Sequence, residues 1–247
     1  MKRTLFTIAS LLLGAATASA AGINLGWNDC PGGSSYVLTE RFACNTNEGV
    51  HTLIGSFVAP PGVEKMSANE VQIDLASKPP APLPDWWKMR STFCRAASLV
   101  GDFDFTTGPF TCYDYWQGGA IGAVVVEFPN AANGRARIKG VFALPAGDAR
   151  ITSIPEGTHV YSFKAVINNA KSAGLGSCAG CNEEACIVLQ YIKLNQPPPQ
   201  STIWIANPAS SQHVYWQGWT TPNPNYQCPQ FTPARQQTWG SIKALYR

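Results

Sequence analysis

The 247-residue sequence predicts an all-β fold, an antiparallel β-sandwich stapled by disulfides and carrying little helix. Three observations lead there. Short runs alternating apolar and polar residues recur along the chain. Its 22 Gly and 19 Pro punctuate those runs as turns punctuate strands. No long segment keeps a helical apolar period between caps, and the best local helix candidate is one or two turns over Trp86–Arg95.

Taken in order, the chain opens with the layout of an export signal over residues 1–20. Lys2 and Arg3 precede the largely apolar stretch Leu5–Ala16, and Ala18-Ser19-Ala20 supplies a small-x-small cleavage pattern. That stretch is shorter than the roughly 20 apolar residues needed to cross a bilayer, so a cleaved leader is expected rather than an anchor. No later segment is long and apolar enough to span, and no lipid-accepting Cys follows the cleavage site, so no membrane insertion is expected. Loss of Lys2 and Arg3 takes the formal charge from +3 to +1 for residues 21–247. A near-neutral surface offers no field for nucleic acid or anionic lipid, and nucleic-acid binding is set aside.

The strongest strand pattern places Val71, Ile73 and Leu75 on one face, with Gln72 and Asp74 between them. Tyr161, Phe163, Ala165 and Ile167 form a second such run. Further strands are expected at His51–Ala59, Ile121–Phe128, Ala136–Leu144, Cys186–Leu194, Ser201–Ala206, His213–Gln217 and Ser241–Tyr246. About ten short strands with turns between them describe a sandwich. The Pro-rich stretches Lys78–Pro84 and Pro197–Pro199 are excluded from central strands because proline lacks the ladder N–H. One domain is expected over residues 21–247, with a C-terminal extension from about residue 200. Tyr-Trp-Gln-Gly occurs at both 115–118 and 215–218 without matching flanks, so it marks similar local geometry and not a repeat.

All eight cysteines, Cys30, Cys44, Cys94, Cys112, Cys178, Cys181, Cys186 and Cys228, lie downstream of the signal, and an even count there reads as a disulfide framework. Nearness in sequence favours Cys30 with Cys44 and Cys94 with Cys112, leaving two bridges among Cys178, Cys181, Cys186 and Cys228. The Cys178-x-x-Cys181 spacing also admits a zinc site or a redox pair. Only one tight couple is present and no βαβ unit surrounds it, so disulfides are the expectation.

Candidate chemistry is thin. His51, His159 and His213 each lie in or beside an expected strand, without a second His at metal-ligand spacing. No Gly-x-Ser-x-Gly elbow is present. Asp102, Asp104, Asp114 and Glu127 occupy an aromatic-rich stretch and are the carboxylates best placed for a glycosidase pair. Asp102 and Asp104 also fit a turn, or part of a calcium loop that lacks its remaining ligands. No cofactor motif is present. Eight Trp, eight Tyr and eleven Phe stand out, with Trp86, Trp87, Trp216 and Trp219 next to turn-like residues. Exposed rings of this kind suit sugar platforms or protein interfaces, whereas buried ones would cover disulfides and sandwich ends.

Several blocks occur together: Gly22–Cys30 (GINLGWNDC), Pro84–Trp87 with Cys94 and Arg95, and Ile167–Lys171. Cys178 and Cys181 with Cys186–Val188, Trp216–Gly218 and Thr238–Arg247 complete the set. In these the chain resembles a group of exported bacterial proteins, known mainly from environmental genomes, to which no activity is assigned. The resemblance implies the same export and cysteine framework and transfers no functional residue. The leading expectation is a secreted or cell-surface binding or structural module. Its ligand would be a glycan or a surface protein, met through Trp86, Trp87, Trp216 and Trp219. A secreted glycosidase-like enzyme using Asp102, Asp104, Asp114 and Glu127, and a subunit of a surface layer or fibre, are the alternatives.

Overall fold

Two sheets face each other across an apolar core in the computed structural model, which describes residues 21–77, 82–107, 111–219 and 228. The strands are β1 (Gly22–Trp27), β2 (Thr39–Glu40), β3 (Val50–Val58), β4 (Ala68–Ser77), β5 (Leu99–Asp102) and β6 (Ile121–Asn130). They continue with β7 (Arg135–Ala143), β8 (His159–Asn168), β9 (Ala185–Asn195), β10 (Ile203–Ile205) and β11 (His213–Trp216). The smaller sheet runs β1-β3-β8-β5. The larger runs β2-β11-β9-β4-β7-β6, with β10 added to β9. Every described pairing is antiparallel except β11 with β2 and the isolated bridges at Ile23 and Tyr113. Residues 1–20, expected to be an export signal, residues 78–81 of the first Pro-rich stretch and the expected strand Ser241–Tyr246 lie outside the described residues.

Alternation places the larger sheet. Val71, Ile73 and Leu75 of β4 turn inward and are buried, while Glu70 and Gln72 turn outward. The strand at Gly22–Trp27 escapes sequence reading because all six of its residues are buried, so no polar face alternates. Its Asn24 is satisfied inside: Oδ1 accepts from Ser210 N at 2.8 Å. Residues past 200 contribute β10 and β11 to the large sheet, both paired with β9. The helix expected over Trp86–Arg95 reduces to a 3-10 turn at Asp85–Trp87, followed by irregular turns. Tertiary burial of its two indoles overrides a weak local preference.

The sheets are locked in register by polar groups inside the core. Asn69 on β4 donates through Nδ2 to Ser162 Oγ on β8 at 2.7 Å, and Trp116 Nε1 donates to Ser162 O at 2.9 Å. Ser162 is the extra residue of a bulge opposite Gly55–Ser56. There the Phe163 ring lies so close over Gly55 that a Cβ at that position would sit 2.0 Å from it. Sliding either sheet by one residue would strand these buried partners.

One end of the sandwich is closed by stacked side chains. The Arg95 guanidinium lies 3.9 Å from the Trp86 ring centroid, and Trp86 stacks on Trp216 at 4.7 Å and 22°. Trp27, Phe42, His51 and Trp87 pack around Trp216. The indole N–H of Trp86 reaches Ser172 Oγ at 2.9 Å, and that of Trp216 reaches Cys181 O at 2.7 Å. Arg95 is 1% exposed and donates to the carbonyls of Trp86 and Asn168. Burial lowers its pKa to about 10, which keeps the cation charged at neutral pH.

All eight cysteines are oxidised, in pairings that differ from those expected. The bridges are Cys30–Cys112, Cys44–Cys181, Cys94–Cys178 and Cys186–Cys228. Neither Cys30–Cys44 nor Cys94–Cys112 forms, because folding joins loops that are 82 to 137 residues apart in the first three bridges. Cys178, Cys181 and Cys186 each leave for a different partner, which removes both the zinc reading and the redox pair. Non-reducing peptide mapping should recover these four linkages. Replacing Cys94 and Cys178 together by Ala should cost about 4 kcal/mol in urea unfolding, since the bridge closes a long loop. Arg95→Met should cost about 2 kcal/mol, because two carbonyls lose a charged donor.

Candidate binding surface

The four tryptophans expected to face a ligand do not. Trp86, Trp87 and Trp216 are 0% exposed within the end plug, and Trp219 is 9% exposed. Trp219 packs with Cys186 and Val188 on the outer side of the large sheet, beside Cys228. The physical reason is the same for all four: each covers a disulfide-bearing loop or a sheet end, where a large ring removes most apolar area from water.

The carboxylates divide. Asp102 pairs with Lys164 Nζ at 2.7 Å, and that ammonium also donates to the carbonyl of Asp104. Asp104 accepts from the backbone and hydroxyl of Thr106, and the hydroxyl bond is the main cause holding its carboxyl below the usual range. Asp114 accepts from Trp116 N at 2.9 Å and Gln117 N at 3.0 Å. Burial is the largest influence on Asp114 and pushes its pKa up. These three therefore gather near Lys164, each committed to a local turn or ion pair. Glu127 stands apart, paired with Lys139 at 3.0 Å on the outer face of β6 and β7. The arrangement serves turn geometry and local charge pairing.

A serine–histidine contact was not foreseen. Ser56 Oγ lies 2.9 Å from His159 Nε2, and Asn24 Nδ2 lies 3.2 Å from the same nitrogen. Because Asn24 Oδ1 is held by Ser210 N, its amino group faces the ring, so Nε2 must accept. His159 is therefore neutral, with its proton on Nδ1. Ser56 is 0% exposed, and its hydroxyl is spent on that nitrogen. Cys30 and Cys112, which lie near His159, are bonded to each other and are not metal ligands.

The open surface is the outer face of the large sheet. Strand register sets Ala123, Val141, Glu70, Lys193 and Trp204 side by side across five strands. The next row holds Val125, Lys139, Gln72 and Tyr191. Five strands at about 4.8 Å spacing make a face roughly 19 Å wide. Its two ends are apolar. Ile121 (67%), Val125 (55%) and Val141 (54%) are more than half exposed on β6 and β7, and Trp204 is 49% exposed on β10. Between them lies the ion pair Glu70–Lys193, with Nζ to Oε1 at 2.5 Å. Farther along the strands Arg137 clamps Asp74 through Nε at 2.6 Å and Nη2 at 3.1 Å. Of these residues, alternation in the sequence marks only Gln72 and Asp74 as facing away from the core.

Among the described residues β6 is hydrogen-bonded to β7 alone, and β5 lies against it, so close that a Cβ at Gly101 would sit 3.3 Å from Val124 N. Natural sheets blunt such edges with Lys, Pro or bulges. Here Ile121–Val126 carries no charge and no proline, and Glu127 and Pro129 come only near the strand's end.

No protein-family model matches the sequence, and no curated protein matches it. Among solved structures, the chain is similar to the second type II cohesin module of the cellulosomal adaptor ScaA scaffoldin of Acetivibrio cellulolyticus. The identity is 11%, with 82% of this chain and 98% of that chain covered at a TM-score of 0.37. It is similar also to a cohesin module of a Clostridium perfringens family 33 glycoside hydrolase, at 11% identity, 80% and 97% coverage and a TM-score of 0.34. Likeness of that extent carries no argument about what this chain binds.

His159 makes stability depend on pH. Burial lowers its pKa, against the raising effect of Asp29, and burial lowers that of His213 as well. The unfolded chain then takes up the protons first, so the stabilisation is full above the ordinary histidine value and is lost as pH falls through the folded values. The urea midpoint should fall between roughly pH 7.5 and pH 5, and His159→Gln should flatten that slope.

Proposed function

We propose that the chain is an extracellular recognition module that binds a cell-surface protein through the open corner formed by β6 and β7. The observation that carries this reading is the uncharged, exposed outer row of Ile121, Ala123 and Val125 on β6, with exposed Val141 beside it on β7. An apolar patch of a partner would lie across this row, with Ile121, Val125 and Val141 giving the contact. The leader-like residues 1–20 and four disulfides support an oxidising, extracellular setting.

The test uses labelled, oxidised chain 21–247 and intact cells of the producing organism. Binding should be saturable and abolished by protease treatment of the cells. Val125→Lys should weaken it roughly tenfold or more without changing the free energy of urea unfolding by more than about 0.5 kcal/mol. Binding that survives protease treatment, equal binding by Val125→Lys, or concentration-dependent self-association that Val125→Lys abolishes would each overturn the reading.

A further inference from the structure

The opposite end of the same face differs in chemistry. Among the described tryptophans Trp204 alone is substantially exposed, at 49%, while the others are 9% or less. It sits on the short edge strand β10, with the Tyr191 ring 4.8 Å away at 57° and Lys193 Nζ 5.4 Å from its ring centroid. Next to it the polar groups are already held in place. Lys193 Nζ and Asn195 Nδ2 both donate to the same Glu70 oxygen, Oε1, at 2.5 and 3.0 Å. Neither of these bonds uses Glu70 Oε2. The hydrogen bond from Lys193 is also the main cause holding the Glu70 carboxyl below its usual range, so the acceptor is ionised at neutral pH.

We propose that Trp204, Tyr191, Glu70, Lys193 and Asn195 form a binding site for a neutral pyranose glycan, separate from the protein-binding corner. A pyranose presents C–H groups on its face and hydroxyls on its rim. The face lies on the exposed indole, which offers broad apolar contact at low conformational cost. The rim meets an ionised carboxylate that accepts from hydroxyls, and ammonium and amide groups that donate to them. Because Glu70 and Lys193 offset each other in charge, the site favours neither acidic nor basic sugars. The row spacing of about 4.8 Å between strands matches the span of one sugar ring. A protein partner would call for aliphatic neighbours around the indole, and those lie at the other end of the face, at Val141 and beyond.

The site is tested by calorimetry and tryptophan emission on oxidised chain 21–247 with cellohexaose, xylohexaose, mannohexaose and chitohexaose. At least one should bind and shift the emission. Trp204→Ala should lower affinity at least tenfold, Trp204→Phe should retain part of it, and Glu70→Gln should lower it severalfold. Val125→Lys should leave glycan binding unchanged, which separates failure here from failure of the protein-binding reading. The proposal is overturned if none of the four binds, or if Trp204→Ala with an unchanged circular dichroism spectrum binds as well as the parent. It is equally overturned if Trp204→Ala impairs only the protease-sensitive cell binding.

Discussion

The stack of Arg95 on Trp86 on Trp216 holds together the end of the sandwich where the least regular chain gathers. Loops bearing Cys44, Cys94, Cys178 and Cys181 meet there without strand ladders to bind them. The stack supplies apolar burial, while its polar edges bind the loops themselves, through Ser172, Cys181 O, Trp86 O and Asn168 O. A buried cation without a carboxylate beside it is costly unless its donors are satisfied. Here two carbonyls take up the terminal nitrogens and an aromatic face covers the cation, while Nε finds no hydrogen-bond partner among the described residues. The two adjacent bridges then confine the same loops covalently.

With the end closed and the sheets registered through Asn69 and Trp116 onto Ser162, the inner faces are fully used. Surface for recognition remains on the outside, and there the two sheets differ in strand number. The larger sheet is wide enough for two separate apolar regions with an ion pair between them. Trp219 and the Cys186–Cys228 bridge cover one part of that outer face, and among the described residues the β6–β7 corner and the β10 end carry its exposed side chains.

Much of the strand pattern is legible in the sequence, and β3, β4, β6, β7, β8, β9, β10 and β11 lie close to the expected runs. The site is not. Exposure of Trp86, Trp87, Trp216 and Trp219 was inferred from neighbouring Gly and Pro, yet turn residues near an indole say nothing about what folds over it. A strand over Ser201–Ala206 is read from the sequence, but the setting of Trp204 is not, because its neighbours Tyr191, Glu70 and Lys193 come from distant segments. The Asn24–His159–Ser56 contact likewise spans three strands.

The amino-acid order alone determined that this chain is built of β-strands and that its sulfurs are cross-linked, because alternation is a property of adjacent residues and an even cysteine count needs no geometry. Which cysteine meets which, which indole is dry and which is wet, and which side chains share a face were decided only in three dimensions. Those outcomes depend on pairings between residues as much as 137 positions apart, and local pattern carries no information about distance through space.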